Sequence, residues 1–105
     1  MVRPEIIIKT YNPDTKALKE MLAGIEEEGV LYKVIHEQMP KDQMTLGYIA
    51  SQMSQLEVGI GIQADHAALY VKKIKDAPLF HTTAKHRKLG QNAARYVKGN
   101  PLIEI

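Results

Sequence analysis

Three consecutive isoleucines, Ile6 to Ile8, lie near the start of the chain within the segment Glu5 to Tyr11. A half-exposed strand alternates apolar and polar residues, whereas an unbroken apolar run is typical of a strand covered on both faces. The segment is therefore predicted to be an interior strand. Since both of its faces must be covered, we expect helices on both sides of a sheet.

Three later segments have apolar residues at helical spacing. The first ends at Gly29, a common residue just after a helix. The second starts at Asp42, a typical N-cap, and the third spans about 84–98 and stops at Gly99 and Pro101. The residues predicted to face inward are Ala17, Leu18, Met21, Leu22 and Ile25 in the first helix, Leu46, Ile49, Ala50 and Met53 in the second, and Leu89, Ala93, Tyr96 and Val97 in the third.

Four further segments are rich in strand-forming residues. They are Leu31 to Glu37, Glu57 to Gln63, Ala67 to Lys72 and Leu79 to Thr82. In the second of these, Gly59 and Gly61 alternate with apolar residues. Alternate glycines let a neighbouring element pack close to one face of a strand. We therefore expect these glycines to serve packing, and not to form a phosphate-binding turn.

The resulting order is β-α-β-α-β-β-β-α. Right-handed crossovers make the first three strands parallel with the first in the middle, and two reversals add the last two strands. The sequence therefore predicts an α/β fold: a three-layer α/β/α sandwich, Rossmann-like or anticodon-binding-domain-like. Its five-stranded mixed sheet has the order 2-1-3-4-5 with strand 4 antiparallel. At 105 residues, the whole chain (1–105) is expected to be a single domain.

Composition narrows the classes of function. The net charge is +2, from 14 basic and 12 acidic residues, which gives no reason to expect nucleic acid or a membrane surface as a partner. The chain contains no cysteine, so it has no disulfide, thiolate metal site or thiol nucleophile. This composition fits a cytoplasmic protein. No apolar run approaches the ~20 residues that cross a bilayer.

Residue patterns for catalysis are also missing. No phosphate-binding loop or nucleophile elbow is present. His36 and His81 fall within predicted strands, where a structural role is expected, and His81 and His86 lack the spacing of a zinc helix. The basic run Lys85 to Lys88 is interpreted as a solvated face in preference to a phosphate site. An enzyme that acts on its own is therefore not expected.

Glu26, Glu27 and Glu28 lie at the predicted C-terminal end of the first helix, the negative end of the helix dipole. They form either a solvated surface or a site for a cation, which is a partner's lysine or arginine or a hard metal ion. Successive residues point about 100° apart around a helix, so the three carboxylates do not converge on one ion. Mg²⁺ commonly takes one or two carboxylates, so a site shared with a partner is chemically reasonable.

Four blocks of sequence carry a resemblance to a known family. They are "GIEEEGV" (24–30), "EVGIGIQ" (57–63), "APLF" (77–80) and "LGQNAARYVKGNPL" (89–102). In this order and spacing they resemble the small subunit of the reactivating factor for coenzyme B12-dependent diol and glycerol dehydratases. The same blocks are similar to the medium subunit of the dehydratases themselves. Medium subunits have an extension before the first strand, so a start close to that strand favours the reactivating factor.

The resemblance implies a chaperone-like role without catalysis by this chain. In the family, a large subunit hydrolyses ATP, and subunit exchange with the dehydratase lets damaged cobalamin leave. The implied partners are that large subunit and the dehydratase, with association with a microcompartment left open. Self-association of the isolated chain is also expected to be feasible, because apolar partner faces often pair with themselves.

The resemblance also implies a residue role at the acidic helix end. The family has an Mg²⁺ between large and small subunits, and its small subunit supplies the second glutamate of a "G-[LI]-E-E-x-G-V" stretch. Alignment on Gly24 and Gly29 makes Glu27 that ligand, with Glu26 and Glu28 beside it at the partner interface. The chain is expected to hold no cofactor of its own. Two alternatives stay open: a structural medium subunit of a dehydratase, and a stand-alone module that binds a small molecule or nucleotide.

Overall fold

A computed structural model of the chain describes residues 4–105, and residues 1–3 of the predicted domain range lie outside that part. The described elements alternate as the sequence predicts. In chain order they are β1 (Ile6–Pro13), α1 (Thr15–Glu27), β2 (Tyr32–His36), α2 (Gln43–Met53), β3 (Val58–Ala64), β4 (His66–Val71), β5 (Phe80–Thr82) and α3 (His86–Lys98). No described helix is long and apolar enough to span a membrane.

The sheet confirms the predicted topology. Its strand order is β2-β1-β3-β4-β5. β1 pairs in parallel with β2 and β3, whereas β4 is antiparallel to both β3 and β5. Observed and predicted element ends differ by two residues at most, the largest shifts being at the end of β1 and the start of α3.

One face of the sheet is covered by α1 and α3. Ile6 and Ile8 of β1 are fully buried in a cluster with residues of both helices, among them Met21 and Leu89. The two helices also approach each other closely: a Cβ at Gly24 would clash with the backbone of Arg87 in α3. Glycine at this point brings α1 and α3 together as one layer.

Of the described elements, only α2 covers the other face of the sheet. A Cβ at Gly59 or Gly61 of β3 would clash with the backbone of α2, at Ser51 and at Gln43 respectively. The prediction that these glycines serve packing is therefore confirmed. Alternation along β1 places Ile7 and Lys9 on this same side of the sheet.

The helix ends follow the predicted chemistry. The carboxylate of Asp14 caps α1 by accepting a 2.9 Å hydrogen bond from the backbone N–H of Ala17, and Asp42 caps α2 in the same way. Gly29 follows α1 in the left-handed conformation with φ of 75°, and Gly99 ends α3 with φ of 72°. Both conformations are ones that glycine adopts at little cost.

The inward face of α2 was predicted wrongly at one position. Met53 is 50 % exposed and Ile49 is half-buried, while Gly47 and Ser51 are buried beside Leu46 and Ala50. The cause is the close approach of α2 to β3. Small residues must face the strand there, and they turn Met53 outward.

Candidate functional site

The three glutamates at the end of α1 each have a partner within the chain. Glu26 accepts a 2.6 Å hydrogen bond from the hydroxyl of Tyr32, the first residue of β2. That hydrogen bond raises the pKa of Tyr32 above its usual value, and partial burial and the negative charge of Glu26 add to the effect. Glu26 therefore ties the end of α1 to the start of β2.

Glu27 is held by α3. Its Oε1 accepts a 2.8 Å hydrogen bond from Arg87, and its Oε2 accepts one of the same length from the amide of Gln91. The other terminal nitrogen of Arg87 lies 2.8 Å from a carboxylate oxygen of Glu20. Arg87 thus bridges two carboxylates of α1. Its hydrogen bond with Glu20, followed by the charges of Glu20 and Glu27, raises the pKa of Arg87 further above its usual range.

Ion pairs with α3 are formed by Glu20, Glu27 and Glu28, and the side chain of Glu28 is the least exposed of the three. Its carboxylate lies 3.1 Å from Nε of Arg95 and 3.5 Å from Nζ of Lys98, and its side chain is only 14 % exposed. Lys98 also donates a 2.7 Å hydrogen bond to the backbone carbonyl of Glu28. A cation at this point offsets the negative charge at the end of the helix, to which the helix dipole and three acidic side chains all contribute.

The partners of Glu27 and Glu28 lie in one stripe of α3. Arg87, Gln91 and Arg95 recur every four residues and so lie on one face of the helix, with Lys98 continuing it. Sequence reasoning missed these partners because it interpreted Lys85 to Lys88 only as a solvated face. The available signal was this stripe together with glycines inside α1 and α3, which indicate helices in close contact.

The basic run itself has mixed environments. Lys85, Arg87 and Lys88 are exposed, as expected, but His86 is buried. Its Nε2 lies 2.8 Å from the carbonyl oxygen of Asp65, so the ring fastens the start of α3 to the β3–β4 turn. The prediction of a solvated face is wrong for His86, because that ring lies on the inward side of α3.

The two histidines in strands lie at the surface. His36 lies 2.7 Å from the hydroxyl of Thr10 across the β1–β2 pair. His81 is exposed on β5. Among residues 4–105, no three His, Cys, Asp or Glu side chains are grouped as a metal site.

This arrangement limits how Mg²⁺ can bind. Both carboxylate oxygens of Glu27 are engaged, and the positive charge of Arg87 lies beside one of them. The side chain is nevertheless 43 % exposed, and Arg87 has a second carboxylate in Glu20. Glu27 can therefore supply at most one ligand, and only to a site that another chain completes. It does not fit a metal centre held by this chain alone.

The model of a family described as dehydratase medium subunit matches residues 3–103 of the sequence. The chain belongs to the dehydratase medium subunit family. Among similar proteins, the propanediol dehydratase-reactivating factor small subunit of Citrobacter freundii is 36 % identical, over 99 % of this chain and 94 % of the relative. The diol dehydratase-reactivating factor small subunit of Klebsiella michiganensis is 32 % identical, over 97 % of this chain and 86 % of the relative.

Two solved structures have the same fold as this member of the dehydratase medium subunit family. One is a chain from diol dehydratase-reactivating factor complexed with ADP and Mg²⁺, with a TM-score of 0.87 and 31 % identity, and the match covers 98 % of this chain and 100 % of that one. The other is a chain from glycerol dehydratase reactivase, with a TM-score of 0.83 and 32 % identity over 97 % and 98 % of the two chains. The resemblance identified in the sequence is thereby confirmed.

Proposed function

We propose that this chain is the small subunit of a reactivating factor for a coenzyme B12-dependent diol or glycerol dehydratase. One observation carries the proposal: the likeness to reactivating-factor small subunits extends over nearly the whole of both chains, in sequence and in fold. In this role the chain works in the cytoplasm as a binding protein. It has no catalytic residue of its own, and its large partner subunit binds and hydrolyses ATP.

Subunit exchange gives the chain its effect on the dehydratase. A protein with the fold of a dehydratase medium subunit presents a similar surface, so it competes for the partner that the medium subunit occupies. Two proteins that need the same surface exclude each other, and the outcome follows their concentrations and affinities. Displacement of the medium subunit opens the dehydratase, damaged cobalamin leaves, and intact coenzyme then binds.

Glu27 gives one carboxylate ligand to an Mg²⁺ shared with the large subunit in this proposal. The positive charge of Arg87 opposes the approach of a second cation, so Arg87 would have to give up its contact with Glu27 and keep the one with Glu20. Glu26 and Glu28 would lie beside the ligand at the interface. Glu28 is the more firmly held of these two, since Arg95 and Lys98 both contact it.

The metal role is tested by Mg²⁺ binding to the complex of the two subunits, measured by calorimetry. Glu27→Gln is expected to weaken Mg²⁺ binding by at least about tenfold, because the neutral amide is a poorer ligand for a hard cation. Glu20→Gln is the matched control. Glu20 contacts the same arginine and has the same 43 % exposure, but it supplies no ligand. Equal Mg²⁺ affinities in the two variants would overturn the role of Glu27.

The function itself is tested by reactivation. Dehydratase blocked with an inactive cobalamin is incubated with the large subunit, ATP and Mg²⁺, with or without this chain, and the cobalamin freed from the protein is measured by absorbance. We expect release only when this chain and ATP are both present. Equal release without this chain would contradict the proposal.

A structural medium subunit is the second candidate, favoured by the description of the family model that matches the chain. The two functions predict different complexes. A medium subunit restores dehydratase activity when mixed with the large and small dehydratase subunits, whereas a reactivating-factor subunit does not. That mixture therefore decides between the two.

A further inference from the structure

The two edges of the sheet differ in how well they are protected. β5 forms one edge with only three residues, whereas β2 forms the other with five. Short edge strands, prolines and bulges are common protections against pairing with another chain. β2 contains no proline and pairs with β1 in unbroken register. It is therefore the edge at which a further strand can add.

Alternate residues of β2 turn their backbone groups away from the sheet. The carbonyl of Leu31 accepts a hydrogen bond from the N–H of Ile6, and the N–H of Glu37 donates one to the carbonyl of Thr10. In the parallel ladder the odd-numbered residues of β2 therefore face β1, and the even-numbered residues face outward. Within residues 4–105 no second strand meets these outward groups, which belong to Tyr32, Val34 and His36.

The side chains along this edge are arranged symmetrically about Ile35. Lys33 and Glu37, which carry opposite charges, lie two residues before and after it, and Leu31 and Met39 lie four residues away. Leu31 is 48 % exposed and Met39 is 67 % exposed, so both apolar side chains lack cover. If two copies pair in antiparallel fashion about Ile35, Lys33 of each lies opposite Glu37 of the other. Leu31 of each then comes opposite Met39.

The backbone allows the same pairing. Hydrogen-bonded and non-hydrogen-bonded positions alternate along an antiparallel pair. Centring on Ile35 places Val34 of one copy opposite His36 of the other, and both present outward groups that can exchange hydrogen bonds. Centring on Val34 would also satisfy the backbone, but it would place Lys33 opposite Ile35. Charge therefore selects the register centred on Ile35.

Glu37 has room for a second cation. Its Oε1 lies 2.9 Å from Nζ of Lys9, and the hydrogen bond from Lys9 lowers the pKa of Glu37 below its usual value. The side chain of Glu37 is still 25 % exposed. Lys33 is exposed and forms no ion pair among the described residues. Each copy thus offers one lysine without a carboxylate and one carboxylate within reach of solvent.

We propose that the segment from Leu31 to Met39, here called the β2 edge, is a self-association surface at which two copies join their sheets. The contact is two-fold symmetric about Ile35 and closes on itself, so it produces a dimer and no longer assembly. One pair of strands buries less surface than a standard interface, so we expect a weak dimer that depends on concentration. The inference goes beyond the proposed function and is tested on the chain alone, so the failure of one leaves the other standing.

The first test uses disulfide formation, for which the chain offers a clean background because it has no cysteine. In the proposed register the two copies of residue 35 form a non-hydrogen-bonded pair, with Cα atoms about 4.5 Å apart. A disulfide accepts that separation. We expect mild oxidation to link Ile35→Cys into dimers on a non-reducing gel, with circular dichroism showing that the variant is folded.

Lys33→Cys is the matched control. Lys33 is more exposed than Ile35, so random collisions would link it more readily. In the proposed register its own copy lies four residues away along the strands, or ~13 Å, which is too far for a disulfide. We expect little linkage of this variant. Equal linkage of the two variants would overturn the proposal.

The second test uses charge, measured by sedimentation over a wide range of protein concentration. Lys33→Glu is expected to weaken self-association by about tenfold or more, because like charges then lie opposite each other at both ends of the contact. Lys19→Glu on the exposed side of α1 makes the same change in net charge and should have little effect. Glu37→Lys should weaken self-association as Lys33→Glu does. A mixture of these last two variants should dimerise again, since each then meets the opposite charge.

The outcomes decide the proposal without the large subunit. A wild type that stays monomeric at every concentration overturns it. A dimer that Lys33→Glu and Lys19→Glu weaken equally also overturns it, because the contact then lies elsewhere on the chain. Because Glu37→Lys also removes the partner of Lys9, its fold is checked by circular dichroism, and the Lys33→Glu result stands without it.

Discussion

The two faces of the sheet are covered by helices of opposite character. α1 and α3 on one face have charged outer sides, and their charges pair with each other, as Arg87 does with Glu20 and Glu27. α2 on the other face carries no charge at all. Ion pairs therefore help to hold the two helices of the first layer together, whereas α2 is held to the sheet by close packing on glycine.

This contrast answers why three glutamates are tolerated at a helix C-terminus. The chain itself supplies the cations and donors, from β2 and from the α3 stripe. Recruitment of Glu27 by a metal therefore has a cost, because an existing contact with Arg87 must be given up.

The largest expected effect concerns a feature that both helix layers share: each packs closely against a neighbouring element at a glycine. Gly90→Ala in α3 and Gly61→Ala in β3 each place a Cβ against backbone, of Met21 in the first case and of Gln43 in the second. We expect each to lower the free energy of unfolding by about 3 kcal/mol, measured by urea denaturation. Gly29→Ala, with open space around the Cβ but a left-handed φ, is the control and should cost only about 1 kcal/mol. A loss of stability in only one of these two variants would show that the two layers do not depend equally on close packing at glycine.

The next effect tests whether α2 depends on its cap. Asp42→Ala removes the acceptor for the N–H of Thr45 and is expected to cost about 1 kcal/mol at neutral pH. The hydrogen bond from Thr45 lowers the pKa of Asp42 below its usual value, so its stabilisation is complete above that value and is lost as the pH falls through the lowered pKa. The difference between wild type and Asp42→Ala should therefore shrink in acid. Asp42→Asn keeps an acceptor, so its free energy of unfolding should stay close to that of the wild type at neutral pH. A difference between wild type and Asp42→Ala that stays constant across the acid range would contradict this account.

The effects at the acidic end of α1 are of this size or smaller. Glu28→Gln is expected to lower the free energy of unfolding by about 1 kcal/mol, because its carboxylate is largely shielded and meets two cations. Glu27→Gln is expected to cost less than about 0.5 kcal/mol, because its pair with Arg87 is exposed to solvent and Arg87 keeps Glu20. Thermal unfolding of the two variants measures the ranking. The reverse order would show that Glu27 is mainly a structural residue.

Sequence reasoning reached the fold because its strongest signals are local. The isoleucine run of β1 and the alternate glycines of β3 each specify an environment without reference to distant residues, and both were confirmed. The error at Met53 arose because a regular apolar stripe was assumed for α2. The close approach of helix and strand selects small residues instead.

The candidate site was harder to predict because its partners are distant in the chain. Glu27 and Arg87 are 60 residues apart, and only the packing of α1 on α3 brings them together. The sequence identified the acidic helix end but not the cations that hold it. The role of Glu27 as an Mg²⁺ ligand stays a prediction.

The last expected effect is a gain. The amide nitrogen of Gln52 in α2 is buried and has no hydrogen-bond partner within residues 4–105. Gln52→Met keeps the length of the side chain and removes that unsatisfied donor, so it is expected to raise the free energy of unfolding by about 1 kcal/mol or less. Urea denaturation measures it, and a clear loss of stability would mean that the amide makes a hydrogen bond in solution.

Complex formation with the large subunit of the reactivating factor tests the central claim most directly. The chain is mixed with the purified large subunit, ADP and Mg²⁺, and the sizes of the species are measured by sedimentation. We expect the two proteins to sediment as one complex. Sedimentation of the chain by itself, at its own size, would contradict the account.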